Sequence, residues 1–399
     1  ACFFSNVDQE IRIKSAPDRI LIKFKKAQET PGQEFIKASI ETSHSLQEMR
    51  YFSFIDVYLY KTYWDKEETL AALNQSPFIE FAEPDYRRLA VSKFPNDPFF
   101  NFLWGLYNTG QSGGKADADM DAPEAWDLST GGKGVIVAVT DSGVDYNHED
   151  LKANMWTNPG EIPNNNKDDD GNGYKDDYHG INAIKNSGDP LDDDGHGSHV
   201  SGTVAGVGNN GKGVVGVCWT AKIMALKFLD ARGGGSISDE IKCIEYAIQK
   251  KADIINGSFG DYFTSNAERR ALEKARDAGI LCIFAAGNDG TNNDKKPHYP
   301  SSYNYKNIIS VAATDRNDKL ASWSNYGPTS VDVGAPGVSI RSSIPNNRYA
   351  SWSGTSMASP QVAGLAALIK AYDSSLGWQQ IKDLILNLGD QNYSCEGKV

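Results

Sequence analysis

The chain has 399 residues, with 52 acidic and 40 basic side chains and a formal charge of −12. That balance excludes a dedicated nucleic-acid binder, which needs a basic footprint for the phosphates. No apolar run reaches the roughly 18–20 residues of a membrane-crossing helix, and 38 glycines without a repeat exclude a fibrous chain.

Residues 1–18 read as an N-terminal extension that starts Ala-Cys. This start fits a chain whose leader has been removed, with Cys2 as a candidate lipoprotein anchor. Residues 19–88 form a small α/β module. ILIKF (20–24) is a strand, and PGQEFIKASIE opens a helix on proline. YFSFIDVYLY (51–60) alternates as one strand, KEETLAALNQ is a second helix, and FIEFAEPDY is a closing strand. The order β-α-β-α-β predicts a two-helix, antiparallel-sheet unit. Residues 89–94 then read as an exposed linker, with proline on both sides of Asn-Asp just after it.

From Gly134 the pattern changes. GVIVAVTD, AKIMALKFLD, ADIINGSF, GILCIFAAGN and NIISVAAT are short, nearly continuous apolar runs, as expected of parallel strands buried on both faces. SDEIKCIEYAIQK and SNAERRALEKARDAG lie between them as helices. The alternation predicts a doubly wound α/β domain over 95–390, with its site at the carboxyl ends of the strands, and a short tail at 391–399. The other cysteines are Cys218, Cys243, Cys282 and Cys395. None forms a CxxC pair, so a zinc knuckle is not expected, and Cys218, Cys243 and Cys282 read as small core residues.

Charge and chemistry are concentrated together. Residues 141–194 carry 14 acids and four lysines, a net of −10 within one 54-residue strip. Asp141 follows the strand VIVAVT, His196 lies between glycines in DDDGHGSHVSGTVAG, and Ser356 opens the apolar helix SGTSMASPQVAGLAALIK. Each alone has a plainer reading as a turn residue, a loop histidine or a helix N-cap. Together they supply an acid to orient an imidazole, a base, and a nucleophile at a helix amino end, where developing negative charge is favoured. Within the strip, DDDGNGYKDD places acids at alternate positions before a glycine, like the first half of an EF-hand loop. Asp168, Asp170, Asn172, Tyr174, Asp176 and Asp177 are the candidate ligands for Ca²⁺; position 12 would be His179, so it is not a complete EF-hand.

VAVTDSGVDYNHEDL, DGHGSHVSGTVAG and SGTSMASPQVAGLAAL resemble the three signature blocks of the subtilisin-like serine proteases, with AAGN (285–288) and GAPGV (334–338) as further marks. The resemblance runs from about Pro95 to Leu388 and implies an Asp141–His196–Ser356 triad with Asn288 as oxyanion donor. It implies that a peptide binds as an added strand against Gly233, Gly234, Gly235, Ser258, Phe259 and Gly260, beside Ala286 and Gly287. Asp289 would lie at the rim of the pocket before the scissile bond. Gln361 departs from the family's usual histidine but lies outside the triad.

The same resemblance makes the first module a ferredoxin-like inhibitory propeptide and folding template, cut between about Asp85 and Pro95; the alternative is a permanent accessory domain. It also implies a second calcium site from Asp97, Asp150, the Asn210 side chain and the carbonyls of Val207, Lys212 and Val214. Asp192, Asp193 and Asp194 could form a third site or make the substrate cleft acidic. Expected partners are protein or peptide substrates and the propeptide, acting on a secreted or extracytoplasmic monomer. The sequon at Asn392 could carry glycan in a eukaryotic secretory route. The rival reading is a calcium-dependent adhesion protein with a vestigial triad.

Overall fold

A computed structural model of the chain describes residues 15–25, 33–86, 93–132, 134–390, 392 and 394–399. Cys2, the extension up to residue 14 and linker residues 89–92 lie outside the described residues. The described residues fall into two compact units, one within 5–91 and one within 92–399.

The first unit runs β1 (Ser15–Phe24), α1 (Gln33–Ser43), β2 (Leu46–Phe52), β3 (Val57–Thr62), α2 (Lys66–Gln75) and β4 (Ile79–Tyr86). Its antiparallel sheet has the order β2-β3-β1-β4. Ile20, Ile22, Phe24, Tyr60, Leu73 and Ile79 form its core, and the Asp65 carboxylate caps α2 by accepting the Glu68 N–H at 2.9 Å. The single strand expected at 51–60 is instead a hairpin, with Phe52 opposite Val57. No glycine or proline marks the turn. Asp56 makes it by taking φ +55°, and accepts the Tyr51 hydroxyl at 3.0 Å.

The second unit is built on a seven-stranded parallel sheet. Its strands are β5 (Ile136–Asp141), β6 (Gly180–Asn182), β7 (Lys222–Lys227), β8 (Ile254–Gly257), β9 (Leu281–Ala285), β10 (Ile308–Thr314) and β11 (Val333–Pro336). They lie in the order β11-β10-β9-β8-β5-β7-β6. Five of them are the apolar runs expected from the sequence. Val137 and Val139 pack into one buried layer and Ala138 into the other, so both faces of the sheet are covered.

The helices are α3 (Ala122–Leu128), α4 (His196–Ala205), α5 (Ile237–Gln249), α6 (Asn266–Asp277), α7 (Thr355–Tyr372) and α8 (Trp378–Leu388). Residues of α4, α7 and α8 share a core with one face; those of α5 and α6 share a core with the other. An antiparallel hairpin, β12 (Ile340–Ile344) and β13 (Arg348–Trp352), leads into α7. From β5 the chain runs out to the edge strand β6, returns to β7 beside β5, and then crosses to β8 on the other side of β5. Such a reversal opens a crevice at the carboxyl end of β5.

Candidate active site

Asp141 ends β5 at that crevice and is fully buried. His196 opens α4, and its Nδ1 lies 2.8 and 3.0 Å from the two Asp141 oxygens. The glycines flanking the histidine have separate reasons. Gly195 takes φ +109° to turn the chain into the helix. At Gly197 an added Cβ would lie 2.0 Å from the Gly143 carbonyl oxygen and 3.1 Å from the Asp141 Cβ, so only glycine lets the helix dock on β5. Burial alone would depress the imidazole pKa, but the charge and hydrogen bond of Asp141, with Asp194 and Asp192, raise it above its ordinary value.

Ser356 is the second residue of α7 and is buried. Its hydroxyl donates to the Ser258 carbonyl at 2.9 Å rather than to His196. Pro360 lies four residues on and has no N–H, so the Ser356 carbonyl lacks its helical donor. The Ser258 hydroxyl fills that place at 3.0 Å. Asn288 follows β9, and its Oδ1 accepts the Thr355 N–H at 2.8 Å and the Thr355 hydroxyl at 3.0 Å. The amide is thereby oriented, with its NH₂ end left to act as a donor next to the start of α7.

The expected substrate segments all follow carboxyl ends of neighbouring strands. Gly233, Gly234 and Gly235 come after β7, Ser258, Phe259 and Gly260 after β8, and Ala286 and Gly287 after β9. Gly235 is bridged to Leu229. A Cβ at Gly260 would meet His298 Cε1 at 2.3 Å, and one at Gly287 would meet Asn325 Nδ2 at 2.4 Å, so these glycine backbones are pressed against side chains. Asp289 is exposed and accepts the Tyr262 hydroxyl at 2.6 Å. Gln361 is buried on α7.

The acidic strip divides into distinct groups. Carboxylate oxygens of Glu161, Asp168 and Asp170 lie within 4.8 Å of one another. Asp177, fully buried beside them, accepts from Asn172 (2.7 Å), Asn158 (3.2 Å) and the Tyr246 hydroxyl (2.5 Å) through one oxygen. Its other oxygen, and Glu161 Oε2, are buried with no protein partner. Lys250, bonded to Asp170, is the one cation with an ion pair there among the described residues. Buried carboxylate oxygens in excess of donors are what a hard cation needs, so these residues fit Ca²⁺.

Asp176 turns away, accepting the backbone N–H groups of Asn165 and Asn166. Tyr174 stands in the same loop, its N–H held by Asn172 and its ring edge-on to Tyr246. Glu161 and Asn158 lie ahead of the aspartate repeat, and their only signal in the sequence is membership of the acidic strip.

Asp97 and Asp150 lie on either side of the 207–214 loop. Asp97 accepts the N–H of Asn209 at 2.7 Å, and Asp150 accepts the Asn210 side chain, the Val214 N–H and the Tyr349 hydroxyl, each at 2.8 Å. The Val207 N–H donates to the Asp150 carbonyl, and the Lys212 N–H to Asn210. Burial, with Asp150 adjacent, pushes the Asp97 carboxyl up to about 6. Asp192, Asp193 and Asp194 do not converge. Asp192 holds Ser142, Ser198 and Gly195; Asp193 pairs with Lys227; Asp194 accepts the His196 N–H.

Residues 132–393 match the family model of the subtilases. A thermophilic serine proteinase of Bacillus sp. (strain AK1) is 40% identical over 305 residues, covering 76% of this chain and 66% of the relative. Subtilisin-like protease 1 of Plasmodium vivax is 37% identical over 310 residues, covering 73% and 48%. Thermitase of Thermoactinomyces vulgaris is 34% identical over 310 residues, covering 76% and 96%. The crystal structure of a cold adapted subtilisin-like serine proteinase superposes with a TM-score of 0.58 at 28% identity, covering 74% of this chain and 94% of that one. The chain belongs to the subtilase family, and its fold is subtilisin-like. It spans about two thirds of the Bacillus relative and half of the Plasmodium one.

Proposed function

We propose that this chain is a calcium-stabilised serine endopeptidase made with an inhibitory propeptide. The observation that carries the reading is the oriented Asp141–His196 pair at the same sheet end as Ser356, a serine on the first turn of a buried helix. Rotation about the Ser356 Cα–Cβ bond takes its hydroxyl from Ser258 toward the imidazole. His196 then accepts the serine proton as Oγ attacks the peptide carbonyl, and returns it to the leaving amine. Asp141 holds Nδ1–H and stabilises the imidazolium. The oxyanion forms against the Asn288 NH₂ and the Ser356 N–H, where the helix field adds to the two donors. Water repeats the cycle on the acyl-enzyme. Substrate lies extended between the 233–236 and 258–260 segments.

Residues 95–390 would be the catalytic domain and 19–88 the propeptide, a reading supported by the separate core of the first unit. Glu161, Asp168, Asp170 and Asp177 would hold one Ca²⁺, and Asp97, Asp150 and Asn210 another. The bound ion supplies charge that neutralises these carboxylates and ties the loops together; it takes no part in peptide cleavage. The relatives named as proteinases support an extracytoplasmic enzyme. The test is labelling with a serine-directed phosphonate together with cleavage of a peptide library. Wild type should be labelled at Ser356 and cleave peptides, and Ser356→Ala should do neither and remain uncut. An unlabelled, inactive wild type would favour the adhesion-protein reading.

A further inference from the structure

We infer that Lys227 is a positioning residue that keeps the catalytic acid, the approach to the catalytic histidine and the substrate-facing loop in register. The inference rests on the peptidase reading above. Lys227 ends β7 directly opposite Asp141 in the β5–β7 ladder. It is among the largest fully buried side chains of the molecule. Its ammonium donates to the Ser142 carbonyl and Asp193 Oδ1, each at 2.6 Å, and to the Leu229 carbonyl at 2.9 Å. These are all three of its donors. A buried ammonium persists only when fully bonded, because its desolvation is otherwise uncompensated.

The three acceptors belong to three different parts of the site. Ser142 follows Asp141; its hydroxyl donates to Asp192 at 2.9 Å and accepts the N–H of Gly197, beside His196, at 2.9 Å. Asp193 lies in the segment whose next residue, Asp194, accepts the His196 N–H at 3.1 Å. Leu229 begins the loop to Gly233–Gly235 and donates its own N–H to the Asp141 carbonyl at 3.2 Å. Two of the acceptors are neutral carbonyls, and the carboxylate of the third is half exposed. Burying the ammonium costs much of what its bonds return, so position is the better explanation for a lysine here. It also sets one positive charge among the carboxylates near His196. The titratable groups facing the imidazole are Asp141 from β5, Asp192 and Asp194 from the preceding segment, and His199 one turn along α4.

The experiment compares kcat, KM and the pH profile of the full chain with those of Lys227→Met, Asp193→Asn and the double variant, using a peptide anilide and phosphonate titration. Lys227→Met should lower kcat/KM about 10- to 100-fold, chiefly in kcat. It should move the acid limb to higher pH, because loss of a nearby cation favours the imidazolium. Asp193→Asn should lower kcat less and move the limb the opposite way, and the double variant should be no slower than Lys227→Met alone. A folded Lys227→Met that keeps kcat within twofold and an unmoved acid limb overturns the inference. If Lys227→Met does not fold, Asp193→Asn decides, and an unchanged kcat and acid limb there overturn it. A wild type that the phosphonate does not label would defeat the peptidase reading instead.

Discussion

Replacing Gly197 by alanine tests the placement of His196 with a single methyl group. The added carbon would lie 2.0 Å from the Gly143 carbonyl oxygen, against an ordinary carbon–oxygen contact of about 3.3 Å. The next obstacle, 3.1 Å away, is the Cβ of the buried Asp141. Neither can swing aside as a flexible side-chain end could. The first turn of α4 must therefore withdraw from the end of β5 by about 1 Å. That shift breaks a 2.8 Å hydrogen bond between His196 and Asp141. Misplacement of this size costs about 10² in rate, equivalent to about 2.7 kcal/mol, and overpacking a core contact costs about 1–3 kcal/mol, so activity and stability should fall by similar free energies in a chain that still folds. The assay is kcat/KM on a peptide anilide with active sites titrated by phosphonate, alongside thermal unfolding. Gly134→Ala, where the new carbon meets nothing within 4 Å, is the control and should behave as wild type. A folded Gly197→Ala retaining kcat/KM within threefold of wild type would refute the reasoning.

Asn288→Ala should lower kcat about 10²–10³-fold with little change in KM, a magnitude taken from subtilisin itself, and a fall confined to KM would count against the oxyanion role. His196 acts as a neutral base, so kcat/KM should be lost as pH falls through its raised pKa. Asp194→Asn removes one of the charges that raise it and should move the acid limb to lower pH; an unmoved limb contradicts the assignment. Chelation should lower the melting temperature, with a stability loss that grows with the free calcium removed and reaches about 2.7 kcal/mol from a concentration 100 times Kd. Glu161→Gln should make melting less sensitive to calcium, and equal sensitivity would exclude Glu161 from the site.

Much of the site was legible because its signals are local. An apolar run ending in Asp141, glycines around His196 and a small-residue helix opening on Ser356 each carry a conformational reason within a few residues. The strands β5, β7, β8, β9 and β10 were legible for the same reason, since strands buried on both faces are apolar throughout. Less was visible where no local rule applies. The hairpin at 46–62 turns on Asp56 without glycine or proline, and β6 has only three residues.

Local pattern is enough to place Asp141, His196 and Ser356 at the ends of apolar elements and to show the negative charge gathered in one strip. Only the tertiary structure decided how that charge is divided. It sends Asp176 to cap a turn, brings Glu161 beside Asp168 and Asp170, and assigns Asp192, Asp193 and Asp194 to three different partners. It also turns Lys227 inward to join segments 85 and 34 residues away in the chain. The physical reason is that periodicity and capping are set by neighbours in sequence. The partner of a buried polar group is whichever complementary atom the fold carries within hydrogen-bonding distance, however far away along the chain.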